Sequence, residues 1–121
     1  MFKFFKILLI GFLGLIYFSS LVLSKEEKIK IGLLLPLTGK NKDLGQQIIK
    51  ATRIALKDIN SEKLEIYPKD TNSNPNTTMR SAIELKNMGV KIIIGPIFYK
   101  SLSYLDEIKD ITFVSLTNKT L

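Results

Sequence analysis

Hydroxyls and amides, rather than acids or imidazoles, carry whatever chemistry this chain has. Its 121 residues include no histidine and no cysteine. That removes the usual general base, the serine–histidine nucleophile and most zinc sites together. Eleven acidic residues are spread along the chain, with no close pair suited to acid–base work. What remains is a set of short polar side chains, each following an apolar run. Thr38 and Asn41 follow the first run, Tyr99 and Ser101 with Phe98 follow another, and Ser115, Thr117 and Asn118 follow the last. Groups of this kind hold a ligand by hydrogen bonds and do not transform it. The rings of Phe98 and Tyr99 can cover an apolar side chain or stack on a ring. Four of these residues also have a plain structural alternative: Thr38, Asn41 and Ser101 suit helix caps, and Phe98 can pack beneath its own loop, whereas Thr117 and Asn118, directly after a buried strand, have the best functional case. No glycine-rich phosphate loop is present, and nothing in the pattern calls for a cofactor or a metal.

The elements that must position these groups alternate. Ile29–Leu35 is a nearly continuous apolar run ended by Pro36, Thr38 and Gly39, which reads as a strand buried on both faces. A helix follows from Asn41 or Asp43 to about Asn60. Asp43 and Gln46 have capping-box spacing, and Leu44, Ile48, Ala51, Ala55 and Ile59 fall on one face, with Ile49 and Leu56 widening it and Lys50, Arg53 and Lys57 facing away. Leu64–Tyr67 reads as a half-exposed edge strand. Asn74-Pro75 opens the next helix as cap and first helical residue; that helix carries Met79, Ala82, Ile83 and Leu85 and stops at Gly89, its terminator. Val90–Ile94 is a second fully apolar strand ended by Gly95-Pro96. Ser101–Ile108 reads as a short helix and Ile111–Leu116 as a fourth strand.

This β-α-β-α-β-α-β order implies an α/β fold of the flavodoxin-like kind, a three-layer α/β/α sandwich on a parallel sheet. Strand order 2-1-3-4 puts the two most apolar strands in the middle and Leu64–Tyr67 at the edge. Ile31, Leu33, Ile93 and Val114 are the expected core. A crevice is expected between the loops Pro36–Asp43 and Gly95–Lys100, bordered by Ser115–Thr120. Helix N-termini beside it would favour a carboxylate or another small anion. Asp70, after the second strand, is expected to organise its loop by accepting backbone N–H bonds.

The first 24 residues differ from the rest. Lys3 and Lys6 precede the apolar stretch Ile7–Leu23, and Val22 and Ser24 suit a signal peptidase that would leave Lys25 as the first residue. An uncleaved membrane anchor is the alternative, since the stretch is at the short end of what spans a bilayer. Either way the chain is expected to be exported to the periplasm or another extracytoplasmic space. The formal net charge is +7, with the basic residues scattered, so no nucleic-acid partner is expected.

Several stretches together carry a family resemblance: IGLLLPLTG, then Leu44-Gly45, PKDTNSN at Pro68–Asn74, GVKIIIGPIFYKS, and FVSLTN. With this spacing Lys30–Leu121 resembles the first half of the N-terminal lobe of type I periplasmic binding proteins, the leucine/isoleucine/valine-binding group. The wording PLTG, KDT and IIGPIF is most similar to the branch of the penicillin-binding protein activator. The resemblance implies residues 25–121 as a partial leucine-binding-protein-like lobe, without catalysis, capturing a small ligand such as an amino acid for an ABC importer. It places the ligand's carboxylate and ammonium at Tyr99–Ser101 and Ser115–Asn118. A membrane permease is then the implied partner, or a peptidoglycan synthase if the activator branch is the right one. Pro96-Ile97-Phe98-Tyr99 stands where amino-acid-binding members carry a serine-rich run, a departure towards the activator branch. An enzyme on the same sheet is the different-class alternative.

Overall fold

The computed structural model describes residues 2–18 and 25–117. Helix α1 (Phe2–Phe18) is exposed over residues 2–12. No helix among the described residues is long and apolar enough to cross a membrane. The expected cleavage point lies at residues 22–24, outside the described residues.

Beyond it run β1 (Ile29–Leu35), α2 (Lys42–Ile59), β2 (Leu64–Asp70), α3 (Pro75–Asn87), β3 (Ile92–Ile94), α4 (Tyr99–Leu102) and β4 (Thr112–Val114). All pairings are parallel, in the order β2-β1-β3-β4. That is the order the apolar content implies. β1 is central because it can be buried on both faces: Leu33, Leu34 and Leu35 are all inaccessible, each contributing about 1.5–3 kcal/mol by burial. β2 is longer than the LEIY run, reaching Asp70 through Pro68. An edge strand tolerates a proline because one side of it needs no donor.

Neighbouring residues of β1 address opposite layers. A Cβ on Gly32 would meet Leu85 of α3 at 2.7 Å and Ile93 at 3.1 Å, so α3 lies directly against that side. There Leu34, Ala82, Leu85, Val90, Ile93 and Leu105 form the main core, with Phe113 and Ile108 packed against it. Leu33 faces the other way, across a gap of about 350 Å³, towards Ile49, Thr52 and Leu56 of α2 and Ile66 of β2. Helices on both faces make the three layers.

Four expectations need correcting. α2 is rotated from the face its periodicity suggests. Gly45 is buried, because a Cβ there would lie 2.0 Å from the Pro36 carbonyl oxygen, and this close approach turns Ile49, Thr52 and Leu56 to the sheet. Leu44, Ala51, Ala55 and Ile59 are left exposed. α4 is one turn rather than a helix to Ile108, although single turns through Leu105 and Ile108 keep those two side chains inward. β3 and β4 are three residues each, shorter than Val90–Ile94 and Ile111–Leu116.

The fourth correction is Val114, which is 48% exposed. Leu33, Ile94 and Val114 form one cross-strand row, on the α2 side of the sheet. Burial falls along that row from 1% exposed at Leu33 to partial at Ile94 and half-open at Val114. The reason is coverage: α2 lies over β1 and β2 and does not reach β4. Ile31, also expected in the core, is half-buried.

Candidate functional site

The loops that leave the carboxyl ends of β1, β2 and β3 meet above the sheet. Two of them are laced together by Asp70, the last residue of β2. Its Oδ1 accepts from the backbone N–H of Leu37 at 2.8 Å, Asn72 at 2.8 Å and Thr38 at 3.3 Å. Its Oδ2 accepts the Thr38 hydroxyl. Burial pushes the Asp70 carboxyl up, but the Thr38 hydroxyl and the three N–H groups together hold it below its ordinary value. The expectation of a loop organiser fits this geometry. Ser81 Oγ of α3 donates to the Asp70 carbonyl at 3.0 Å, so the same residue also fixes the start of the next layer.

The β2–α3 loop needs unusual backbone angles. Asn72 and Ser73 are both left-handed, at φ 46° and 52°, conformations that asparagine tolerates better than most residues. This lift aims Ser73 across at Asn41, whose Nδ2 donates to Ser73 Oγ at 3.0 Å. Gly39, at φ 77°, passes so close that a Cβ would lie 2.9 Å from Asn72 Oδ1. Asn74 then caps α3, its side chain accepting from the N–H groups of Asn76 and Thr77. The α3 terminus is thus satisfied by its own cap. Asn41 occupies the cap position of α2 without making a side-chain cap bond, and the Asp43–Gln46 capping box does not form.

Asn41, Ser73, Pro75, Phe98, Tyr99, Lys100 and Ser101 line a cleft of about 490 Å³. Of the residues singled out in the sequence, the structure therefore gathers Asn41, Phe98, Tyr99 and Ser101. Thr38 is not in the lining; its hydroxyl and N–H are committed to Asp70. Ser115 and Thr117 are also outside it, Ser115 Oγ accepting the Thr117 N–H at 3.2 Å. Asn118 lies outside the described residues. Lys100 falls within the expected loop Gly95–Lys100 without being singled out, whereas Ser73 and Pro75 were missed in the sequence, where only the Asn-Ser-Asn-Pro run at 72–75 signalled a built turn.

Ser101 is 2% exposed, and its backbone N–H donates to the Phe98 carbonyl at 3.0 Å. Lys100 is the one cation in the lining and forms no ion pair with a described residue. No carboxylate lines the cleft. Among the described residues no group of three or more acidic side chains could hold a metal ion. The arrangement can bind through rings, hydroxyls, an amide and an ammonium.

Comparison with known proteins agrees with this architecture. Residues 28–119 match the family model of the periplasmic binding proteins. The chain belongs to that family. No match among curated proteins was found. Among solved structures, the leucine-binding protein LivK of Thermotoga maritima superposes with a TM-score of 0.67 at 22% identity, covering 75% of this chain and 28% of that one. A solute-binding protein of an ABC transporter from Rhodopseudomonas palustris, in complex with 3,4-dihydroxybenzoic acid, gives 0.61 at 30% identity, covering 64% and 23%. Full-length LpoA of Haemophilus influenzae gives 0.64 at 28% identity, covering 83% and 18%. The LpoA C-domain is described as a regulator of PBP1A. This chain thus spans between 18% and 28% of the length of these relatives, and their fold is the one observed here.

Proposed function

We propose that this chain is the first part of an extracytoplasmic lobe that captures a small ligand for an ABC importer. The carrying observation is the cleft of about 490 Å³ built from the loops after β1, β2 and β3. It sits outside the carboxyl ends of parallel strands, where open α/β sheets bind their ligands. Its lining holds no nucleophile–base pair, which suits retention of a ligand over its conversion. Membership of the periplasmic binding proteins supports the same reading, as do the ABC-transport neighbours. In this role the apolar N-terminal stretch would direct export, and a permease would receive the ligand. Hinge closure of a second lobe would complete the site.

A panel of amino acids and aromatic acids tested by equilibrium binding would decide it. Saturable binding to the intact chain, abolished by Tyr99→Ala with folding retained, is the expected result. A well-folded chain that binds none of them would refute small-ligand capture.

A second reading, a regulator of a peptidoglycan synthase, is favoured by one observation. The LpoA relative covers more of this chain than LivK does, at higher identity, and Pro96-Ile97-Phe98 shapes the loop after β3. Under that reading the chain would associate with a penicillin-binding protein and leave the panel unbound.

A further inference from the structure

Helix α2 gathers cations that the sequence scatters. Lys42, Gln46, Lys50, Arg53 and Lys57 follow one another at steps of four or three residues along it, so they fall on one stripe of the helix. The four cations are exposed, and none forms an ion pair with a described residue. Neither acidic residue of α2, Asp43 or Asp58, stands three or four residues from any of them, the spacing at which a carboxylate supports a lysine. Arg53 instead has Lys50 and Lys57 at those distances, and like charges so placed weaken a helix. The stripe therefore gives the chain itself no stability.

We propose that this stripe docks the chain on an anionic lipid surface. Charge complementarity calls for negative charge spread along the 18-residue helix, about 27 Å long. Two features beside the stripe select lipid over nucleic acid. Ile54, four residues after Lys50 and three before Lys57, is 60% exposed. A headgroup layer accommodates such a side chain, whereas a phosphate backbone makes no use of it. At Arg53 the stripe borders the gap of about 350 Å³ between α2 and the sheet, walled by Leu33, Ile49, Leu56 and Ile66. Apolar room beside a cation suits an amphiphile. None of the stripe's residues lines the cleft above the sheet, so this docking and small-ligand capture stand or fall separately.

The test is co-sedimentation of the full chain with two kinds of vesicle, neutral phosphatidylcholine and the same lipid carrying about 30% phosphatidylglycerol. The parent chain should prefer the anionic vesicles, and about 0.5 M salt should remove the preference. Lys50→Gln with Arg53→Gln and Lys57→Gln should reduce it about tenfold to a hundredfold, the sum expected of three cations near a charged surface. Binding to neutral vesicles through the exposed apolar helix α1 should be unchanged. The chain has no tryptophan, so Gln46→Trp places a single fluorescent reporter inside the stripe with every charge kept. Brominated lipid should quench that reporter in anionic vesicles and not in neutral ones. Should the triple variant fail to fold, the reporter decides alone. A preference that survives the triple substitution would overturn the proposal, as would an unquenched reporter on chain bound to anionic vesicles. Binding of duplex DNA through the same three cations, with no preference between vesicles, would make the partner a nucleic acid and overturn it too.

Discussion

Replacing Asp70 by asparagine separates its charge from its shape. Oδ1 would still accept the N–H groups of Leu37, Thr38 and Asn72, now without ionic assistance, while Oδ2 would become an amide nitrogen. The Thr38 hydroxyl would then have to accept from that nitrogen and turn its proton to Asn72 Oδ1, which lies 3.3 Å away. Hydrogen bonds to a charged group are worth about 1.5–3 kcal/mol and neutral ones about 0.5–1.5. Thr38 and Asn72 are exposed, so water recovers part of the loss, and the net cost should be about 1–2 kcal/mol at pH 7.

The sign of the pH dependence follows from the depressed Asp70 carboxyl. Its stabilisation is fully present above the unfolded value, near 3.8, and is lost as pH falls through the folded one. The difference between the parent and Asp70→Asn, measured by urea unfolding with circular dichroism, should therefore be constant from pH 5 to 7 by our account and shrink below about pH 4. A cost under about 0.5 kcal/mol at pH 7, the level of an ordinary surface change, would refute the view of Asp70 as the tie between the two loops. So would a pH-independent difference.

Leu33→Ala should cost about 2–5 kcal/mol in the same unfolding assay, since it removes a fully buried side chain from the central strand; a loss below about 1 kcal/mol would displace β1 from the core. Gly45→Ala should destabilise by at least as much as a typical overpacking change, about 1–3 kcal/mol, because the added methyl meets the backbone oxygen of Pro36. The open face of β3 and β4, where Ile92 and Val114 are exposed, should drive association of the chain. Val114→Lys with Ile92→Lys should shift sedimentation towards the monomer, and an unchanged distribution would point to a different contact.

Much of this architecture is legible in the sequence because burial on both faces leaves a continuous apolar run. Ile29–Leu35 and Ile92–Ile94 sit in the middle of the sheet for that reason, and Asn74-Pro75 opens α3 as its cap chemistry dictates. The rotation of α2 is not legible. Its apolar arc is wide enough to cover either Leu44–Ile59 or Ile49–Leu56, and the choice is made by a backbone contact of Gly45 that periodicity does not encode. Val114 reads as core from its own strand, yet its burial depends on what lies over β4.

The site divides in the same way. Topology points to the loops after β1 and β3, and Asn41, Phe98, Tyr99 and Ser101 meet there. Ser73 enters only because two successive left-handed residues lift it towards Asn41, a tertiary consequence of the Asp70 tie. Thr38 carries the right chemistry in the right loop, but the tie consumes it.

The most direct test of the central claim, a ligand cleft formed by the loops after β1, β2 and β3, is amide chemical-shift mapping of the full chain during a benzoate titration. The account predicts progressive, saturable shifts at Asn41, Ser73 and Phe98–Ser101, with the amides of α1 and β2 unmoved. Shifts confined to Ser115–Thr117, or saturable binding that leaves Asn41 and Tyr99–Ser101 unchanged, would contradict it.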